Sequence, residues 1–262
     1  MVQSDSNLKL DGTPGLGHCC AVKISVVIPA FNEERLLGET IRHIRAAIAS
    51  FTSRGWEIEL IVCDNNSTDG TAQIARDAGA TVVFEPVNQI GRARNRGAAA
   101  ATGDWLLFID ADSHPTGELL ADVADQIQSG RCLAGGVTVR LQGRHHLANF
   151  VTGVWNWKSR TRRWLAGSFI FCDAAVFRKL NGFSNEHFVA EELDLSWRLH
   201  DEVKKTGREL VILHRHPLLT SDRKMRLYTT WELLRFLFRV ALRPGSTMRD
   251  REACHAWYDG RR

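Results

Sequence analysis

Short runs of apolar and β-branched residues alternate, through the first half of the chain, with stretches whose apolar positions recur every three or four residues. The runs at 24–28, 58–63, 81–84 and 105–109 predict buried strands, and 33–51, 71–78 and 90–101 predict the helices between them. Strands joined by helices make a parallel sheet with right-handed crossovers and helices on both faces. Ligands of such sheets bind beyond the carboxyl ends of the strands. The second half is less regular, with strands predicted near 133–141, 168–171 and 209–213, a Trp-rich stretch at 155–164 and a helix at 189–200. The whole reads as one α/β domain, without internal repeats.

The polar residues fall where this topology wants them. The first strand runs into Pro29-Ala30-Phe31-Asn32-Glu33, the second into Asp64-Asn65-Asn66-Ser67-Thr68-Asp69-Gly70, and the fourth into Asp110-Ala111-Asp112. Two carboxylates one residue apart at a strand end offer hard oxygen donors, the kind that hold Mg²⁺ or Mn²⁺ against phosphate oxygens. Plainer roles compete: Asn32 as cap of the helix opening at Glu33, and Asp69 or Ser67 as cap of the helix near Thr71. Asp64 is also placed to accept hydrogen bonds from a nucleobase.

Taken together, these segments resemble the successive signatures of family 2 glycosyltransferases. The same is true of residues 91–97, with Ala93-Arg94-Asn95 inside, and of Gly182-Phe183 followed by Glu191-Glu192-Leu193-Asp194-Leu195 and Arg198. The resemblance spans about residues 24–216. It implies a GT-A, Rossmann-like, mixed but mostly parallel sheet and an inverting transfer from a nucleotide-diphosphate sugar, UDP-linked, to an acceptor hydroxyl. It places Pro29, Ala30, Asn32, Glu33, Asn66, Gly91 and Ala111 at the nucleotide, Asp64 on the base, Arg94 near the base or phosphates, Asp110 near the ribose and Asp112, with Asp110, on Mn²⁺ or Mg²⁺. Glu192 stands where the family usually carries an Asp as base. Glu191 and Asp194 are its rivals, since the three cannot share one helical face. His214 or His216 is a candidate metal ligand, and Arg223 or Lys224 a candidate diphosphate clamp. No Gln-x-x-Arg-Trp motif follows, which argues against a processive synthase.

Composition narrows the field further. A chain of 262 residues, 44% hydrophobic and 24% charged, suits one soluble domain, expected over 22–225 behind an unstructured leader at 1–21. Of the net charge of +4, residues 222–262 carry +5, from ten Lys or Arg against five Asp or Glu, which disfavours a global nucleic-acid binder. Residues 226–243 predict an amphipathic helix with a stripe of Arg235, Arg239 and Arg243, suited to an anionic membrane surface, to this domain or to a second subunit of a homodimer. Trp155, Trp157 and Trp164 with Arg160, Arg162 and Arg163 suit an acceptor surface or an interface. The acceptor itself, lipid-linked or small, is not encoded in any motif. Six cysteines without Cys-x-x-Cys spacing, no secretory leader and no apolar run of membrane length make the cytoplasm, or the inner face of its membrane, the expected location. A nucleotidyltransferase lacks support, for no Gly-rich, Lys-containing loop follows the first strand. A non-catalytic nucleotide-binding protein is disfavoured by the retained carboxylates.

Overall fold

The computed structural model describes residues 22–143 and 146–221. In chain order the elements are β1 (Lys23–Ala30), α1 (Leu37–Ala47), α2 (Ala49–Thr52), β2 (Glu57–Asp64), α3 (Thr71–Asp77), β3 (Thr81–Phe84), α4 (Ile90–Ala100) and β4 (Trp105–Ile109). The second half follows as β5 (Ser113–His114), α5 (Gly117–Gln128), β6 (Cys132–Leu141), α6 (His146–Arg162), β7 (Phe169–Asp173), α7 (Ala174–Lys179), α8 (Glu191–Thr206) and β8 (Glu209–Thr220). One eight-stranded sheet runs in the order β3-β2-β1-β4-β7-β6-β8-β5. Its first four strands are parallel, whereas β7 lies antiparallel to both β4 and β6, and β8 returns parallel to β6.

Both faces are covered, so the central strands carry apolar residues at odd and even positions alike. Val26, Ile28, Leu107 and Ile109 pack with Ile41, Phe51 and Val123 on one side. Val27, Leu106 and Phe108 pack with Phe177, Phe183, Leu195 and Leu199 on the other. Gly97 of α4 sits so close to β1 that a Cβ would lie 2.3 Å from Val27 Cγ1, and only glycine lets the helix approach this far. Cys63, Cys132 and Cys172 are buried free thiols, and burial pushes Cys63 up to about 12, Cys132 up to about 11 and Cys172 higher still, as befits small inert hydrophobes.

The parallel half matches its predicted elements closely. The differences lie elsewhere. The helix expected from Glu33 starts at Leu37 and breaks at Ile48 into α1 and α2. Asn32 does not cap it: its backbone is left-handed at φ 52, and its side chain accepts from Thr68 N at 2.8 Å instead. The Trp-rich stretch belongs, through Arg162, to the long helix α6, with Trp164 just beyond it, and β8 runs seven residues past its expected end. No described helix is long and apolar enough to cross a membrane. Residues 1–21 and 222–262, including Arg223, Lys224 and the expected amphipathic helix, lie outside the described residues.

Candidate active site

Register brings the strand ends level: Ala30 of β1 pairs with Asp64 of β2, which in turn pairs with Phe84 of β3. The loops beyond β1 and β2 are laced together by Asn32 N to Ser67 Oγ at 3.0 Å, Glu33 N to Thr71 Oγ1 at 2.8 Å and Glu34 N to Asp69 Oδ2 at 3.2 Å. Asp64 closes its own turn by accepting from Ser67 N at 3.0 Å; Gly70, not Asp69 or Ser67, is the N-cap of α3, without a side-chain cap, and Asp69, one residue before it, accepts from Thr71 N. Pro29 lies inside β1 opposite Cys63, behind Ala30. Asn66 is exposed and donates to Asn88 Oδ1 at 3.1 Å.

The Asp110–Asp112 turn is pinned at four points. Asp110 N donates to Ser168 O, Ser113 N to Asp110 O and Ser221 N to Asp112 O, while Thr40 of α1 donates its hydroxyl to Ala111 O at 2.7 Å. Asp110 and Asp112 stay partly exposed, whereas Ala111 is buried. Their carboxylates are the hard donors that Mg²⁺ or Mn²⁺ prefers, so the donor set at the turn fits such an ion.

Arg94 of α4 occupies the floor. Its Nη2 donates to Asp110 Oδ1 at 2.9 Å and to Gly167 O at 2.7 Å, its Nη1 donates to Glu191 Oε1 at 2.5 Å, and its guanidinium lies 5.3 Å from the Phe183 ring centroid. Burial works against the cation, but Asp110, Glu191 and Glu192 together hold it charged. One guanidinium thus faces three carboxylates, and they cannot all ionise at no cost. Burial pushes Glu191 up against the pull of Arg94, and burial with the neighbouring Glu191 charge pushes Glu192 up to about 8. Gly91 gives α4 its close approach to α8: a Cβ there would lie 3.4 Å from Glu191 Cγ.

The three acidic candidates at the start of α8 therefore part company. Glu191 is buried on Arg94. Asp194 turns onto Arg198, one helical turn on, at 2.9 and 2.6 Å. Glu192, half-buried, keeps its carboxyl beside Gly167, where a Cβ would come within 3.5 Å of Glu192 Cδ.

The histidines go elsewhere. Thr220 is the β8 residue that pairs with Ser113, next to Asp112. His216 lies four residues back, within the register shift of β8 against β6, and its Nδ1 meets Asp122 of α5 at 3.0 Å. His214 is exposed. Neither joins Asp112 in a group of three or more ligand atoms of the described residues within 4.8 Å of one another. Among the described residues, the His, Cys, Asp and Glu trio whose ligand atoms lie within 4.8 Å of one another is Glu39, His43 and His114. Sequence reasoning passed over Gly167, whose carbonyl holds Arg94, and Gln89, whose amide donates to the carbonyls of Asn185 and His187 and so fixes the loop before α8. Backbone carbonyls leave no residue-type signature.

The family model described as Glycosyl transferase family 2 matches residues 25–180, more than half of the chain. An uncharacterized glycosyltransferase of Mycobacterium bovis is 34% identical over 141 residues, covering 53% of this chain and 60% of that protein. This chain thus spans less than two thirds of that relative's length. A mannosyltransferase of Pyrobaculum calidifontis, solved with GDP-Man and Mn²⁺, shares the fold at a TM-score of 0.64 and 18% identity, over 90% of this chain and 65% of that one. Glucosyl-3-phosphoglycerate synthase of Mycobacterium tuberculosis, solved with Mg²⁺ and UDP, gives 0.57 at 21% identity, over 79% and 74%. The sheet order and the family match agree: this chain belongs to glycosyltransferase family 2 and has the GT-A fold.

Proposed function

We propose that the protein transfers a sugar from a UDP-linked donor to an acceptor hydroxyl with inversion, Glu192 acting as base. One observation carries this reading: through Arg94, a single cation ties the acidic turn after β4 to the paired glutamates that open α8. Asp64 and the laced loops after β1 and β2 take the nucleotide, with Ala30, Asn32 and Glu33 lining it. Asp112 and the oxygen of Asp110 not engaged by Arg94 would hold a divalent cation. Such an ion, when bound, neutralises charge on the diphosphate.

Glu192 takes the acceptor hydroxyl proton, the acceptor oxygen bonds to the anomeric carbon, and the bond to the diphosphate breaks with its electron pair on the leaving oxygen. A raised carboxyl is a stronger base than an ordinary glutamate, at the expense of the fraction ready at neutral pH. Arg94 and Glu191 position this base and do not react. The site works in the cytoplasm on this reading, and the acceptor is a hydroxyl compound, lipid-linked or small.

The test is a panel of nucleotide sugars with Mn²⁺, followed by binding and donor hydrolysis. A UDP-sugar should bind and turn over, and Asp112→Ala should abolish the metal dependence. No donor bound, with Asp112→Ala indistinguishable from the unmodified chain, ends the proposal.

A further inference from the structure

Helix α6 is turned inside out. Its inward face is mostly small and polar, with Trp155 packed on Trp164: Ala148 and Ser159 are buried, Asn156 spans the Val139 backbone at 3.0 and 2.8 Å, and Ser159 donates to Trp164 O at 2.6 Å. Its outward face carries Phe150 (69% exposed), Val151, Val154 and Trp157 (65% exposed), four of the seven exposed large hydrophobics among the described residues. Phe150, Val154 and Trp157 fall within about 60° of arc at ~100° per residue, so they form one stripe. A helix that only packed on its own domain would place these groups inward.

Charge says what the stripe faces. Lys158, Arg160, Arg162 and Arg163 are exposed along its C-terminal end, and no Asp or Glu occurs in the sequence between Asp125 and Asp173. Bulky apolar and aromatic groups rimmed by cations are what an interfacial helix presents to anionic lipid. Residues 222–262 carry a net +5, and a second copy would bring the same basic rim, so both are like-charged occupants. An anionic bilayer is the complementary one.

We propose that this face of α6 docks on an anionic lipid surface and that the acceptor is drawn from that surface. The second half rests on the transfer reading above. The link is short: α6 ends at Arg162, and five residues later Gly167 holds Arg94 through its carbonyl and abuts Glu192. The helix on the membrane is therefore continuous with the wall of the base, which suits an acceptor whose hydroxyl rises from a lipid headgroup.

The full chain should co-sediment with vesicles of phosphatidylcholine and phosphatidylglycerol and only weakly with phosphatidylcholine alone. Phe150→Glu with Trp157→Glu should lower that partition by about tenfold, and amides of 150–157 should gain exchange protection on vesicles in the unmodified chain. Hydrolysis of the donor should be the same in both proteins, which reports an intact fold. Unchanged vesicle binding by the double variant overturns the proposal. So does absence of binding by the unmodified chain, whether sedimentation then shows the variant splitting a dimer or exchange shows the face already covered by residues 222–262. Vesicle binding without any donor turnover would sink the transfer reading and leave the docking face standing.

Discussion

Glu191, the first residue of α8, receives a hydrogen bond from Arg94 of α4 at 2.5 Å across 97 residues of chain, and both side chains are almost wholly shielded from water. An ion pair this deep does little for stability as a pair, yet losing one partner strands the other. Arg94→Met should therefore cost about 3–5 kcal/mol in urea unfolding. Adding Glu191→Leu should recover part of that loss, because the stranded carboxylate is gone. Additive losses in the double variant would show that the two residues are not coupled.

Glu192→Gln should lower transfer by about 10²–10⁴-fold while UDP-sugar binding, read by calorimetry, is retained. In the unmodified protein the rate should rise with pH until the carboxyl, pushed up to about 8 in the free site, has lost its proton. The same shift acts on stability. The folded state holds this proton where the unfolded chain, at 4.5, has already released it, so stability should fall as pH rises from about 4.5 to about 8. Glu192→Gln should flatten that decline.

Asp194, held by Arg198, is expected to matter for the helix and not for the reaction. Asp194→Asn should cost about 0.3–1 kcal/mol and leave kcat within a few-fold. A loss of kcat as large as that of Glu192→Gln would move the base two residues along α8.

Gly97→Ala should drive α4 off β1, at about 1–3 kcal/mol, and displace Arg94 with it. Val27→Ala removes the obstructing methyls, so the double variant should be more stable than the sum of the two single losses. Thermal unfolding of the four proteins checks this.

The parallel half was legible because each strand there is a bounded apolar run and each helix keeps its period. Helix α5 was overlooked even though Leu119, Leu120, Val123, Ala124 and Ile127 follow the helical period, with Thr116 capping the start at 3.2 Å. It carries no catalytic motif and follows directly on the acidic turn. Strands β5 and the end of β8 had no pattern to find. Ser113 and His114 form only two residues of strand, and His214-Arg215-His216-Pro217 is a polar run that falls in the register shift where Leu213 to Leu218 advance against only Val137 to Val139 of β6. Motif order located the acidic residues of α8 but could not divide their roles. That division depends on where each side chain finds a cation, Arg94 for Glu191 and Arg198 for Asp194. These partners become visible only once the chain has closed.

The Asp110–Asp112 turn hangs from β7, α1, its own Ser113 and the end of β8. On the proposed reading, a turn held at these four points should need no swing to meet the donor. On that reading, too, a compulsory order of donor and acceptor entry would have to arise in other segments of the chain.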